Sequence, residues 1–436
     1  MSKPIIINKF GGGILKNELF PIIAKRLNEQ LKKGYFPIVV VSAFPGITDQ
    51  LLSVTESSIS NIKNIHFEII DKMNMNLNYS NIAKIETEKV FNELEIIVKN
   101  IKNTPEIELS VQDKIVSFGE KLSTVIINQY FNSAGIKSKK FFAEEVPIIT
   151  DDNFKNANIA YDISVKNILN KISNSEGVPV IAGFTGITLA GHTTTLGRGG
   201  TDTTACFVGS ALKALKIILW KDVGGVLSAD PKIVNNAKTI SSISYLEAEE
   251  SGKIIHDKAI QYVKINKTTV EITSIANPKL KTEIKEIKKV KKGAKIVSVK
   301  NDLSLILITD ENIKVNDLLF TVSQTFIKYK VDIILISNTR YSLQIVANNS
   351  NSQLDKVYEE LKTKIAEIEI TKASMVYLVG LFDAKDVSNL NDLLVKQKAN
   401  LLISAFYYEN CYRIEAVIKT NDINNIIKAV HKKFIK

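Results

Sequence analysis

Cysteine, histidine and proline are scarce in this sequence: 2, 4 and 9 residues among 436. Cys206 and Cys411 lie far apart and neither has C-x-x-C spacing, so a disulfide framework and a zinc or dithiol motif are excluded and a reducing compartment is expected. His66, His192, His256 and His431 show no metal-ligand spacing, and no Ser-His-Asp or Cys-His constellation is evident. The few prolines, with 45% apolar and 24% charged residues, exclude a disordered or low-complexity chain. No run approaches the roughly 18 apolar residues needed to cross a bilayer, and the N-terminus lacks the apolar stretch of a signal peptide. A cytoplasmic protein with no membrane partner is expected.

Positive charge is what the chain has in excess, +11 net. Its only dense run, 281–300, carries no interleaved aromatics and falls at an expected domain junction. It reads as a solvated connector, so no nucleic-acid partner is expected. The length calls for more than one hydrophobic core.

Up to about residue 290, short apolar runs alternate with amphipathic stretches. Strands are expected at 4–8, 37–42, 139–142, 178–182, 217–221 and 269–273. Helices are expected at 19–32, 49–102, 112–132, 158–174, 203–215 and 245–251. Strand alternating with helix implies an α/β domain, a parallel sheet covered on both faces, over 1–290. The last part changes character, with strands at 294–299, 304–309, 331–337, 341–347, 366–371, 374–380, 400–406 and 411–418 and four short helices. In the last helix Ile423, Ile426, Ile427, Val430 and Phe434 form one stripe. These elements make two ferredoxin-like βαββαβ units, 291–371 and 372–436. The second lacks a sixth strand, which 294–299 supplies, so the first unit is inserted within the second. Such pairs bind a small ligand or dimerise.

Four stretches carry candidate chemistry. Lys9 followed by Gly11, Gly12 and Gly13, between a strand and a helix, offers a cation, a backbone free to take φ > 0 and a helix N-terminus for an anion. It is not a Walker loop. LGRGGTD at 196–202 joins the Arg198 guanidinium fork to glycines and to Thr201 and Asp202 at a helix start. LWKDVGGV at 219–226 puts Lys221 and Asp222 at the carboxyl edge of a parallel strand. SFGEKLS at 117–123 places Glu120 near a helix start, where it is either a solvated glutamate or a buried carboxylate that needs a cation to meet.

Together with SAFPGIT (42–48), GFTG (183–186), KDVGGVLSADPK (221–232) and KIIH (253–256), in this order and over nearly the whole chain, these motifs resemble the aspartate kinases of the amino-acid kinase fold with C-terminal ACT domains. The resemblance implies transfer of the ATP γ-phosphoryl group to the side-chain carboxylate of L-aspartate, with Mg²⁺ carried on the ATP phosphates and no protein metal site. It implies that Lys9 stabilises the transferring group, that Thr48, Glu120 and Thr201 hold aspartate with Glu120 on its ammonium, and that Arg198 grips a carboxylate while Asp202 organises the site. Gly11, Gly12, Gly13, Lys221, Asp222, Leu227, Lys232 and Lys253 fall at ATP positions. A homodimer or higher homo-oligomer through the ACT units is also implied.

Departures from the family pattern fall at Gly13, Lys221, Leu227, Lys232 and Asp257 and bear on nucleotide affinity. The other reading is a catalytically weak paralogue that acts as a ligand-sensing regulatory chain; retention of Lys9, Glu120, Arg198 and Asp202 together favours the enzyme. In the first ACT unit the strand-to-helix turn at 309–317 has no glycine and three acidic side chains, so weak or absent inhibition by lysine is expected.

Overall fold

Ile5, Ile6 and Ile7 open the first strand, β1 (Ile5–Phe10), and its near-continuous burial is what a strand covered on both faces requires. The computed structural model describes residues 3–101, 107–172, 175–252, 254–348, 352–403, 411–420 and 422–435. After β1 come α1 (Phe20–Lys32), β2 (Phe36–Val41), α2 (Ile47–Leu52), α3 (Glu56–Lys72), α4 (Leu77–Ile101), α5 (Leu109–Ser133), β3 (Ser138–Phe141), β4 (Ile149–Thr150) and α6 (Tyr161–Ile172). Then follow β5 (Val178–Ala182), β6 (Thr185–Thr188), β7 (Thr193–Thr195), α7 (Gly200–Ala211), β8 (Lys216–Lys221), β9 (Ser242–Ser244), α8 (Tyr245–Ser251), α9 (Asp257–Ile265), β10 (Val270–Ser274) and β11 (Lys281–Lys285).

The main sheet runs β3-β5-β2-β1-β8-β10-β11-β9, parallel except where β11 meets β10. Two apolar cores line its faces, one built on α1 and α3–α5 and one on α6–α9. The parallel register brings the carboxyl ends of β1, β2 and β8 side by side, the edge where such sheets bind ligands. A small second sheet has the order β4-β6-β7.

The remaining elements are β12 (Gly293–Thr309), α10 (Val315–Lys328), β13 (Ile333–Asn338), β14 (Ser342–Asn348), α11 (Ser352–Lys362), β15 (Glu367–Phe382), α12 (Ala384–Lys396), β16 (Asn400–Ile403), β17 (Cys411–Lys419) and α13 (Ile423–Phe434). They form one antiparallel sheet in the order β13-β14-β12-β15-β17-β16. The eight expected strand segments are thus six strands, because two pairs run on as single long ones. β12 crosses an irregularity between Lys300 and Leu303, with Asp302 at φ +55°. Its first half pairs with the second half of β15, from Ala294↔Gly380 to Lys300↔Met375, and its second half pairs with both β14 and the start of β15. Residues 404–406 of the expected strand 400–406 lie outside the described residues.

Chain packing divides the molecule into Met1–Val226 with Thr239–Lys288, and Leu227–Lys238 with Lys289–Lys436. The first boundary differs from an unbroken 1–290 at the segment 227–238. Ala229 and Val234 are buried in the core of the second unit, Val297 N–H donates to Ser228 O at 2.8 Å, and Ser228 Oγ bonds His431 Nε2 at 2.9 Å.

Other expectations need amending. The long helical region expected over 49–102 consists of three helices, because Thr55 and Ser58 form a reciprocal capping box that starts α3 and Asn74 turns left-handed, at φ +50°, after its end. The basic run at 281–300 is not simply a connector: its first residues are β11, where Lys281 pairs with Glu271 at 2.9 Å and Glu283 at 3.1 Å. Among the described residues no helix is long and apolar enough to cross a membrane.

Candidate active site

Lys9 is the penultimate residue of β1, and its side chain is directed to the opposite face from Asn8 by the pleat. Asn8 is satisfied on its own face, where Oδ1 accepts Trp220 Nε1–H at 3.0 Å and the Gln30 amide at 2.8 Å. Lys9 Nζ lies 2.5 Å from Asp202 Oδ1, and Lys221 Nζ, at the end of β8, lies 3.4 Å from Asp202 Oδ2. Asp202 sits in the first turn of α7, where the helix dipole also favours a negative charge. Burial alone would push its carboxyl up, but the Lys9 and Lys221 charges outweigh that and hold it below the usual carboxylate range. The result is an ionised carboxylate that fixes two cations at the edge of the sheet.

Glu120 comes from α5, which is buried along most of its length. Gln112, Asp113, Val116 and Glu120 recur at helical spacing and line one cleft. Gly119 lets α5 come close to the loop after β2: a Cβ there would lie 2.8 Å from Ala43 Cβ. This approach puts Glu120 Oε1 3.0 Å from the Ala43 amide that donates to it, with the Ser42 hydroxyl at 3.5 Å. Oε2 is buried with no hydrogen-bond partner among the described residues. Burial pushes the Glu120 carboxyl up to about 8, against the pull of those hydrogen bonds and of the Lys9 charge.

The third wall is the loop before α7. Gly197 and Gly199 take φ of +76° and +73°, so LGRGG owes its glycines to left-handed backbone. Arg198, between them, is exposed and is in no ion pair among the described residues. Thr201 Oγ1 donates to Ser42 Oγ at 3.3 Å, tying α7 to the loop after β2. Lys9, Thr48, Glu120, Arg198, Thr201 and Asp202 therefore line a single cleft of about 660 Å³.

The other named positions are placed differently. Gly11, Gly12 and Gly13 follow β1, but none has positive φ and the α-helix starts only at Phe20 after two 3-10 turns. Gly11 and Gly12 serve close approach instead: a Cβ on Gly12 would lie 3.1 Å from Ala43 O, and one on Gly11 3.0 Å from Lys9 Nζ, whereas one on Gly13 would meet nothing within 4 Å. Asp222 follows β8 and is exposed. Leu227 and Lys232 belong to the segment packed in the second unit. Lys253 lies outside the described residues. Among the described residues no cluster of three or more His, Cys, Asp or Glu is arranged to hold a metal ion.

Sequence reasoning missed several residues of the same cleft: Asp113, Lys155, Phe184 and Thr195. Asp113 is buried, and Oδ2 accepts the Lys155 amide at 2.8 Å and the Thr195 amide at 2.7 Å while Oδ1 accepts the Thr195 hydroxyl at 3.0 Å. Burial raises its carboxyl, opposed by these bonds and the Lys155 charge. Its signal was available, seven residues before Glu120 on the same helical face. Phe184 holds φ +68°, with its amide on Thr204 Oγ1 at 3.0 Å.

A parallel-sheet edge with two cations clamped by a carboxylate, a free guanidinium and a lone buried acid defines a protein that handles small, highly charged ligands of both signs. Residues 4–274 match the amino acid kinase family, and the chain belongs to that family. Aspartokinase 1 of Arabidopsis thaliana, a chloroplast protein, is 26% identical over 92% of this chain and 75% of its own length. Two structures of E. coli aspartokinase III share the fold over 99% of this chain and all of theirs. The form with lysine and aspartate has a TM-score of 0.84 at 22% identity, and the form with aspartate and ADP 0.80 at 21%.

Proposed function

We propose that the chain is an aspartate kinase, transferring the γ-phosphoryl group of ATP to the side-chain carboxylate of L-aspartate to give 4-phospho-L-aspartate, a step toward lysine, threonine and methionine. The observation that carries this reading is the Oε2 of Glu120, without a partner among the described residues, in one cleft with the Lys9–Asp202 pair, which Lys221 joins from the end of β8, and with the free Arg198. An α-amino acid with a second carboxylate supplies the charges these groups lack. The names of the relatives point the same way.

The substrate carboxylate is already an anionic nucleophile, so no general base is required, and the work is to bring it to an anionic triphosphate. Lys9 is held by Asp202 instead of folding back on the substrate, which fixes its charge where negative charge develops. Glu120 takes the substrate ammonium, Arg198 takes the carboxylate that does not react, and Thr48 and Thr201 add hydroxyl contacts. Lys221 and Asp222 lie on the nucleotide side, with Gly11 and Gly12 packed close beside Lys9 and the loop after β2.

Magnesium fits this site on the nucleotide phosphates: Asp202 is already engaged by two lysines, and the free positive groups suit a triphosphate better than a bare cation. Bound there, the ion neutralises phosphate charge. Association of chains through the second unit is consistent with Phe320 and Ile327 standing 63% and 76% exposed on α10. The reaction takes place in the cytoplasm on small molecules. The test is ATP-dependent formation of aspartyl hydroxamate from aspartate and hydroxylamine. Absence of product with the purified full chain at saturating ATP, magnesium and aspartate refutes the reading.

A further inference from the structure

Lys155 is a long side chain on a backbone that disfavours one. Its φ is +68°, in the left-handed region where residues other than glycine, asparagine and aspartate are uncommon. The conformation is imposed from outside: the buried Asp113 carboxylate accepts the Lys155 amide, and Ala157 N–H donates to Thr195 O at 2.9 Å. On the next residue, Asn156 O and Oδ1 accept Lys258 Nζ at 2.7 and 2.6 Å. Strain maintained by so many contacts is more often found where a side chain has a task.

The loop also lies against the one that carries Arg198. A Cβ on Gly197 would meet Asn156 Oδ1 at 2.7 Å and Lys155 O at 3.0 Å, so the two backbones touch one residue before the guanidinium. Lys155 and Arg198 both line the cleft and both are exposed, whereas Lys9, Glu120 and Asp202 are buried in it. Among the described residues the Lys155 ammonium is in no ion pair.

We propose that Lys155 is a substrate-specificity residue that, with Arg198, forms a two-cation clamp on the non-reacting carboxylate of a dicarboxylic amino acid. This rests on the reading that the cleft phosphorylates aspartate. The three charges of that substrate then have separate partners. The ammonium meets Glu120, the reacting carboxylate lies toward Lys9, and the remaining carboxylate sits at the outer end between Arg198 and Lys155. One guanidinium would bind that carboxylate; a second cation from a rigid neighbouring loop fixes its direction and hence the aim of the other.

The experiment separates charge from backbone by comparing Lys155→Met, Lys155→Arg and Lys155→Gly in the full chain. Aspartate and ATP Michaelis constants and direct aspartate binding by calorimetry are measured at low and high KCl. Lys155→Met is expected to raise the aspartate constant about tenfold while the ATP constant moves little, and to flatten its dependence on KCl. Lys155→Arg should stay within about threefold of wild type, since it keeps the charge. Lys155→Gly should lose aspartate affinity as Met does and yet melt at a higher temperature, because the left-handed backbone is relieved. Met and Arg equally impaired, or Gly retaining wild-type affinity, would assign the position a backbone role and overturn the proposal. A wild-type chain that phosphorylates aspartate alongside an unchanged Lys155→Met overturns the clamp alone. A wild-type chain that forms no aspartyl phosphate but binds aspartate through Lys155 overturns the kinase reading alone.

Discussion

Glu120→Gln offers two independent readouts from one atom change. Among the described residues Oε2 has no partner and burial lifts the carboxyl from the ordinary 4.5 to about 8, so the folded chain carries this proton at neutral pH. An ammonium requires the ionised form. If the competent fraction at pH 7 is about one in ten, aspartate binding there runs about tenfold below its limit. The aspartate Michaelis constant of the wild type should accordingly fall as pH rises from 6 to 8 and then level off. In Glu120→Gln that pH dependence should vanish, and at pH 8 the loss of a charge-assisted contact, worth about 1.5–3 kcal/mol, should weaken aspartate roughly 10- to 150-fold with little change for ATP.

The same protonation has a cost in stability, and its sign is fixed. Because the folded-state value lies above the unfolded one, the folded chain binds more protons between pH 4.5 and about 8, and unfolding free energy falls as pH rises through that window. The contribution is fully present below 4.5 and lost above about 8. From pH 4.5 to 7 the loss is about 3 kcal/mol, at about 1.4 kcal/mol per pH unit. Glutamine does not titrate. The unfolding free energy of the variant relative to wild type, followed in urea from pH 4.5 to 7, should therefore climb by about that amount while aspartate binding collapses. A wild-type aspartate constant flat from pH 6 to 8, or equal rises in both Michaelis constants of the variant, would refute the assignment of Glu120 to the ammonium.

Lys9→Ala and Arg198→Ala should each lower turnover ~10²–10³-fold with circular dichroism unchanged, since each removes a positive charge from an anion-crowded cleft; near-normal turnover in either would mean the active site lies elsewhere. Asp113→Ala should cost about 2–4 kcal/mol in denaturant unfolding by leaving the buried amide of Thr195 and the half-buried one of Lys155 unpaired, and Asp113→Asn much less, because one amide oxygen still accepts both; equal losses would show that the charge, not the acceptor, matters. Lysine inhibition should be weak or absent in titrations at subsaturating aspartate with lysine, threonine and both, although the reason narrows. The turn at 309–317 contains no positive φ, so its lack of glycine is no obstacle. Asp310 is buried and spends its carboxylate on the amides of Asn312 at 2.9 Å and Ala366 at 3.1 Å, which leaves Glu311 and Asp317 to repel an effector carboxylate. Strong inhibition by millimolar lysine, abolished by substitutions within 309–317, would reverse this.

What could be read in advance followed the kind of signal each element carries. β2, β8 and the first half of β1 are apolar on both faces, and such runs bounded by glycine or charge have few alternatives, so the parallel core was legible. Short strands such as β6 and β7 were not, because TGIT and TTT have no apolar alternation and are fixed by the hydrogen bonds of a neighbour. The merging of strand pairs into β12 and β15 was equally hidden. A polar stretch such as Lys300-Asn301-Asp302 reads as a turn, and only pairing on both sides carries the chain straight through it.

The site divides along the same line. Lys9, Arg198 and Asp202 stood out as charged residues beside glycines at a strand end or a helix start, and Glu120 as a charged residue next to Gly119 in a largely apolar stretch. Lys155 gave no such signal, since a lysine in an asparagine-rich loop is ordinary in sequence and becomes unusual only through its φ and the carboxylate that holds its amide. Residues that meet the substrate can thus be chosen by chemistry that is visible in one dimension. Those that aim it depend on which loops touch, and here the contact of Gly197 with Lys155 and Asn156 joins positions some forty residues apart in a way that no local pattern encodes.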